Sequence, residues 1–243
     1  MRDFLQAIQD RVLVGDGAMG TLLLSRGIRP QQVFETLSLT DPAAVRAVHE
    51  EYIAAGADLI ETNTFGANRF RLAAAGYQNQ AGRINRAAAR LARQAAGDDI
   101  LVAGAVGMIH PPAADGGEVD PDSIFSAYRE QISSLAEGGV DCILLETFEE
   151  WDNLEIALKA AADAASLPVI AQMTLSNRGL SIFGEQARDY CARARQAGAA
   201  VFGGNCGGGF AAVAAILDPR EDHPVHESPP CPTPPTALLP TPN

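Results

Sequence analysis

The sequence predicts an α/β protein with a (β/α)8 TIM-barrel-type fold. Apolar runs rich in β-branched residues alternate with segments of helical period, and the runs end in small or polar residues. Such alternation allows either an open doubly wound sheet or a closed barrel. The barrel is favoured because polar residues follow several different strands and no G-x-G-x-x-G motif follows the first one.

Six apolar runs are predicted to be buried parallel strands. They are RVLVGDGAMG at 11–20, ADLIETNTFG at 57–66, ILVAGAVGM at 100–108, VDCILLETF at 140–148, LPVIAQMTL at 167–175 and AAVFGGNCGG at 199–208. The intervening segments have helical spacing and are predicted to be crossover helices, at 41–56, 79–97, 122–139 and 150–166. Several of them end in glycine, the residue that most often follows a helix C-terminus.

Six strands are fewer than the eight that a barrel of about 250 residues needs. The remaining segment, 218–243, holds nine of the fifteen prolines, and proline excludes helix interiors and central strands. We therefore expect an incomplete barrel domain over 1–217, with about six βα units, and a disordered Pro-rich tail over 218–243 in place of the last two units. The abrupt change at Asp218 suggests a truncated or frameshifted C-terminus.

Composition excludes several classes of partner. The net charge of −12 would repel nucleic acid and anionic membranes. Charged residues interrupt the N-terminus, and no apolar run approaches the ~20 residues of a spanning helix. Four cysteines without paired spacing are expected to be buried thiols or ligands, and a cytoplasmic protein acting on small molecules is predicted.

Four polar residues follow different strands at the predicted functional face: Asp16, Asn63, Glu146 and Cys206. Asp16 is a candidate binding group, but it could equally cap a helix that begins near Ala18. Glu146 is either a binding group or a solvated loop charge. Glu61 is expected to point into the barrel, where a carboxylate requires a partner.

Five motifs, in this order and spacing, resemble the homocysteine S-methyltransferase family over residues 10–217. They are VLVGDGAMGTLLLSRG, ETNTFGAN, LLETF, TLSNRG and GGNC. The resemblance implies a barrel that binds zinc through three cysteine thiolates and transfers a methyl group to homocysteine, giving methionine. Known members take the methyl group from folate through cobalamin, from betaine or from S-methylmethionine, and the sequence does not select among these donors.

The resemblance also implies site residues. It makes Cys206 a zinc ligand, but the adjacent Cys-Cys pair that supplies the other two ligands has no match here, since Cys231 stands alone among prolines. It places Asp16 and Gly17 at the amino acid end of homocysteine and Glu146 at its amino group. Asn63 and Thr64 lie at the mouth of the barrel, where they are expected to position substrate. No catalytic residue is assigned.

Two other interpretations remain open. The chain is either an enzyme of this type or an inactive remnant that binds a small amino acid, and either form could require an oligomer or a completing chain because an opened barrel exposes two strand edges. A third interpretation makes Asp16 and Glu146 an acid/base pair for unrelated carboxylate chemistry, which requires both groups near one reacting atom.

Overall fold

The structure is a computed structural model that describes residues 3–29, 33–110, 120–176, 180–181 and 187–207. Its strands are β1 (Leu59–Glu61), β2 (Leu101–Gly107), β3 (Cys142–Phe148), β4 (Val169–Met173) and β5 (Val201–Gly204). Its α-helices are α1 (Phe4–Asp10), α2 (Met19–Ser25), α3 (Leu37–Thr40), α4 (Pro42–Ala54), α5 (Arg69–Ala73), α6 (Ala81–Ala96), α7 (Pro121–Gly138), α8 (Trp151–Ala164) and α9 (Ala187–Gln196). Short 3-10 helices lie at Phe34–Thr36 and Gln78–Gln80.

The five strands form one parallel sheet in the order β1-β2-β3-β4-β5. A parallel bridge between Gly15 and Leu59 adds the first predicted strand beside β1. Strand order that follows chain order without reversal is the arrangement of a barrel wall, whereas a doubly wound sheet reverses direction at its middle. The barrel-type prediction is therefore confirmed, and five of the six predicted strands are found as β1–β5, whereas the first forms only the bridge at Gly15.

The pairing of the first predicted strand with β1 is short because the side chain of Asp16 occupies the position of the next backbone hydrogen bond. The Asp16 backbone N–H still donates to Leu59 O at 3.0 Å. Beyond it, both carboxylate oxygens of Asp16 lie 3.1 Å from the backbone nitrogen of Glu61. That N–H would otherwise donate to a backbone carbonyl of a continuing strand, so pairing ends here.

Two apolar layers enclose the sheet. One packs the outer face of the strands against the helices and contains Val106, Leu145, Ala171 and Met173. The other fills the inside of the curved sheet with Leu59, Leu101, Leu144 and Ile170, and Phe4 of α1 closes it at the end where the strands begin. Side chains of one strand alternate between the layers, as the pleat requires. The inner layer leaves the other end of the sheet for polar residues.

The four predicted crossover helices are confirmed as α4, α6, α7 and α8. Helix α7 shows why they form there. Asp120 accepts a hydrogen bond from Asp122 N, Pro121 occupies the first helical position, and Gly139 adopts the left-handed conformation (φ 93°) that ends the helix. The predicted Pro-rich tail over 218–243 lies outside the described residues. No helix in the described part of the chain has the length and apolar character to cross a membrane.

Candidate functional site

The candidate site lies where the strands end, at the face opposite α1. Asp16 follows the bridge at Gly15, Glu61 is the last residue of β1, Glu146 lies near the end of β3, and Asn205 and Cys206 follow β5. The fold thus brings together residues that are up to 190 positions apart in the sequence. Of the predicted site residues, Asp16, Glu146 and Cys206 meet here, and Glu61 joins them.

The Asp16 carboxylate is not a helix cap. Helix α2 begins after Ala18, and its N-terminus has no side-chain cap. The Asp16 carboxylate is instead held by the Glu61 N–H, with 7% of the residue exposed. The helix-cap interpretation was therefore wrong, because the carboxylate satisfies a strand N–H in preference to a helix terminus.

Glu61 points toward the same site, and its expected partner is not found. The side chain is half-buried, and no described residue forms a hydrogen bond or ion pair with its carboxylate. Burial raises the pKa of Glu61 well above its usual range, and the neighbouring carboxylates of Glu146 and Asp16 raise it further. The surroundings of Glu61 are acidic, so its missing partner would be a cation.

Glu146 is buried inside the barrel and is not a loop charge. Only 7% of the residue is exposed, and burial raises the pKa of Glu146 to about 7. Burial also raises the pKa of Asp16, against the hydrogen bond from Glu61 N, and the charge of Glu146 adds to the rise. Three carboxylates that disfavour one another's ionisation make a site that a bound cation would stabilise.

Asn205 and Thr147 join the end of β3 to the loop after β5. Asn205 Oδ1 accepts from Thr147 N at 2.9 Å, and Asn205 Nδ2 donates to Thr147 Oγ1 at 2.8 Å. The Thr147 hydroxyl also lies 3.7 Å from the Cys206 Sγ. Thr147 and Cys206 both have positive φ, 60° and 58°. Such values are rare for a β-branched residue, and this local strain is held by the surrounding hydrogen bonds.

Among the described cysteines, Cys206 is the one that lies at the candidate site. It is partly buried, whereas Cys142 lies at the opposite end of the inner layer and Cys191 is exposed on α9. Burial raises the pKa of the Cys206 thiol, which the Thr147 contact opposes and Glu146 reinforces. No three His, Cys, Asp or Glu side chains among the described residues are arranged to hold a metal ion. The described residues alone therefore do not make a zinc site, and Cys231 lies outside them.

Asn63 and Thr64 lie at the mouth of the barrel, but both side chains donate hydrogen bonds to backbone carbonyls of the protein. Asn63 Nδ2 donates to Phe34 O at 2.7 Å. The Thr64 hydroxyl donates to Ala105 O at 2.7 Å, and the residue has no exposed surface. In this geometry they shape the loop after β1.

Gly17 lies against Tyr52 of α4, a residue that the sequence did not point to. A Cβ at Gly17 would lie 2.8 Å from the Tyr52 hydroxyl oxygen, so a larger residue would require the Tyr52 side chain to shift. Burial, followed by the charges of Asp16 and Glu61, raises the pKa of Tyr52. Tyr52 therefore borders the acidic site, yet its helical position gave no local signal.

A comparison with protein families matches residues 13–237 to homocysteine S-methyltransferase. Two similar curated proteins are methionine synthases. That of Mycobacterium leprae is 28% identical over 240 residues, which cover 91% of this chain and 20% of the relative. That of Mycobacterium tuberculosis is 29% identical over 236 residues, covering 88% of this chain and 19% of the relative. The chain thus spans about a fifth of the length of these relatives.

Solved structures of one protein share this fold. The metallated form of the homocysteine methyltransferase MmuM from Escherichia coli has a TM-score of 0.76 and 24% identity, covering 88% of this chain and 81% of that one. Its apo form has a TM-score of 0.69 and 23% identity, covering 88% and 79%. At this identity the likeness supports the fold.

Proposed function

This chain belongs to the homocysteine S-methyltransferase family, and on that premise we propose that it binds homocysteine and transfers a methyl group to its sulfur, giving methionine. The observation that carries the proposal is the group of three carboxylates, Asp16, Glu61 and Glu146, at the end of the sheet. Two of them are buried, and no lysine or arginine is buried among the described residues to neutralise them. An α-ammonium group supplies the missing positive charge.

The carboxylates would bind and orient the amino acid end of the substrate. A bound ammonium stabilises the ionised form of a carboxylate through charge-assisted hydrogen bonds, which offsets the cost of burial. Asp16 is already oriented by the Glu61 N–H, and Glu146 lies within 3.4 Å of Asn205 Nδ2. The cation would therefore meet acceptors whose positions are fixed before it arrives, which lowers the entropic cost of binding.

The substrate sulfur would then lie toward Cys206. In the transfer, the homocysteine thiolate forms a bond to the methyl carbon as the bond between methyl and donor breaks, and the thiol proton passes to solvent. The thiol of homocysteine is mostly protonated at neutral pH, as the usual pKa near 8.5 for a cysteine indicates. Deprotonation of the homocysteine thiol is thus the step that the protein must promote.

For zinc we propose only that Cys206 is one of its ligands. Zinc makes a coordinated thiol ionise, and Cys206 is the thiolate ligand that this face offers. A complete site would need ligands outside the described residues, so no step is derived through the metal. Zinc content of the purified protein tests the assignment: Cys206→Ser is expected to lower it to background, and unchanged zinc in that variant would refute it.

Methionine formation tests the proposed function directly. The chain is incubated with zinc, L-homocysteine and, in separate reactions, S-methylmethionine, betaine or methylcobalamin, and methionine is measured by mass spectrometry. We expect methionine with at least one donor and a loss of 100-fold or more in Glu146→Gln, on the order of one buried charge-assisted interaction at 1.4 kcal/mol per tenfold. Binding of homocysteine without methionine from any donor would support the amino-acid-binding remnant instead.

Assembly of the chain is a further proposal. The sequence supplies six strand-like runs where a closed barrel has eight, and the open edges of such a sheet pair with other strands or chains. We propose that the chain forms an oligomer or pairs with a completing chain in solution. Light scattering of the purified protein measures the mass, and a monodisperse monomer would contradict the proposal.

A further inference from the structure

Gln172 is a polar side chain inside the barrel. It lies on β4 between Ala171 and Met173, whose side chains pack in the outer layer against the helices. Ile170, two residues earlier, packs in the inner layer. Because side chains alternate along a strand, Gln172 points into the interior, one step closer than Ile170 to the end where the carboxylates lie.

The register places Gln172 beside the candidate site. On one side, β3 pairs with β4 at Leu145 and Ala171 and again at Phe148 and Met173, with a bulge in between. The two residues of β3 opposite Gln172 are therefore Glu146 and Thr147. On the other side Gln172 pairs with Gly203, where an added Cβ would lie 3.9 Å from the Gln172 Cγ. The glycine leaves the space next to the amide open.

The amide of Gln172 has no partner in the part of the chain that the structure describes. The residue has no exposed surface, and neither its Nε2 nor its Oε1 forms a hydrogen bond within the described residues. Two other buried amides with an unpaired oxygen, Asn85 and Gln131, still use their NH2 groups, which donate to Ala67 O and Thr64 O at 2.7 Å. A buried amide with neither end paired is costly, and its presence in a binding cleft points to a bound group that pairs it.

We propose that Gln172 is a specificity-determining residue whose Nε2 donates a hydrogen bond to the α-carboxylate of homocysteine, an inference that rests on the proposed function. A carboxylate entering this site meets three like charges and no buried cation among the described residues. It requires neutral donors, and Gln172 offers an unused NH2 group. A neutral amide binds the carboxylate without competing with the ammonium for Asp16 and Glu146.

The proposal is tested with Gln172→Met, which keeps the length of the side chain and removes both polar atoms. Isothermal titration calorimetry measures the affinity of the full chain for L-homocysteine and for 3-aminopropanethiol, which has the thiol and the amine but no carboxylate. We expect wild-type protein to prefer homocysteine. The variant should lose about tenfold in homocysteine affinity, the loss that a hydrogen bond to a charged group carries. The affinity for 3-aminopropanethiol should remain within twofold.

Gln131→Met is the matched control, because it removes a buried amide that already has a protein partner. Its urea midpoint should fall, and any loss of affinity should be the same for both ligands. Gln172→Met should keep a urea midpoint at least as high as the wild type in the absence of ligand, since it removes unpaired polar atoms from the interior. A purely structural role for Gln172 would instead make the two variants behave alike.

The outcomes separate this proposal from the proposed function. Equal losses for both ligands in Gln172→Met, an unchanged homocysteine affinity, or a wild type that binds both ligands equally would each overturn the role of Gln172 while homocysteine binding itself stands. A wild-type protein that binds no homocysteine would overturn the proposed function, and the role of Gln172 with it.

Discussion

Asn205 holds Thr147 through two hydrogen bonds, from the Thr147 N–H to Asn205 Oδ1 at 2.9 Å and from Asn205 Nδ2 to Thr147 Oγ1 at 2.8 Å. The helices α8 and α9 and the strands β4 and β5 lie between the two residues in the sequence. Their contact fixes the end of β3 to the loop after β5, and so sets Cys206 near Glu146 and Glu61. The site depends on a side chain that itself belongs to the GGNC motif.

Asn205→Ala is therefore expected to destabilise the protein. It leaves the buried Thr147 N–H without its acceptor and removes the bond that holds a strained residue, a loss of about 1–3 kcal/mol. The free energy of unfolding in urea is the measurement. Asn79→Ala, an exposed asparagine in the second 3-10 helix, serves as the control and should change stability by less than about 0.5 kcal/mol. Equal values for the two variants would contradict the role of Asn205.

Alanine substitutions at Gly207 and Gly27 distinguish the cost of backbone strain from the cost of steric overlap. Both have positive φ, 69° and 85°, but a Cβ at Gly27 meets no atom within 4 Å, whereas a Cβ at Gly207 would overlap the carbonyl oxygen of Leu175. Gly27→Ala should cost about 1 kcal/mol from its φ alone. Gly207→Ala should cost clearly more in the same urea experiment, and it should also weaken homocysteine binding because Cys206 precedes it. A Gly207 variant no less stable than the Gly27 variant would refute the overlap.

Glu61→Gln is expected to stabilise the ligand-free protein. The substitution removes one of three mutually repelling carboxylates and leaves the size of the side chain unchanged. At pH 8 we expect a gain in the free energy of unfolding, because burial and the charges of Glu146 and Asp16, which raise the pKa of Glu61, disfavour its ionised form. Glu149→Gln, at a half-buried glutamate outside this group, is the control and should be near neutral. A loss of stability in Glu61→Gln would mean that the carboxylate has a favourable partner.

His49, a buried residue of α4, makes the stability of the protein depend on pH. It lies on α4 with 0% exposure, and neither ring nitrogen has a partner within the described residues. Burial lowers the pKa of His49 to about 4. Between pH 6.5 and 4 the unfolded chain binds a proton that the fold excludes, so stability falls as the pH falls.

His49→Leu should remove that contribution. The free energy of unfolding of the variant minus that of the wild type should increase by about 2 kcal/mol as the pH falls from 7 to 4.5. His110→Gln, at an exposed histidine, should follow the wild-type profile. Parallel profiles for wild type and His49→Leu would show that His49 is protonated in the folded state.

The sequence was sufficient to predict the sheet. Runs such as 140–148 and 167–175 are largely apolar, because strands covered on both faces bury most of their side chains, and periodicity identified the helices between them. It was insufficient for the length of the first strand. Its run is as apolar as the others, but the Asp16 carboxylate replaces the next ladder bond, a tertiary contact that no local pattern contains.

The candidate site was predicted in part for a similar reason. Asp16 and Cys206 follow strands and Glu146 lies near the end of one, and a strand end is visible in sequence. The orientation of Glu61 was anticipated from its position in the strand, but its acidic surroundings depend on which strands are neighbours. Gln172 was passed over because an amide side chain in the run LPVIAQMTL gains meaning only from the register with β3 and its bulge. Tyr52 belongs to a helix and reaches the site only through the packing at Gly17.

The most direct test of this account is the calorimetric affinity of wild type and Asp16→Asn for L-homocysteine and for 4-mercaptobutyrate, which lacks only the ammonium group. The account predicts that wild type prefers homocysteine, and that Asp16→Asn loses at least about tenfold in homocysteine affinity with no loss for 4-mercaptobutyrate, because a buried carboxylate pairs with the ammonium. A wild type that binds no homocysteine, or that binds both ligands equally, would contradict it.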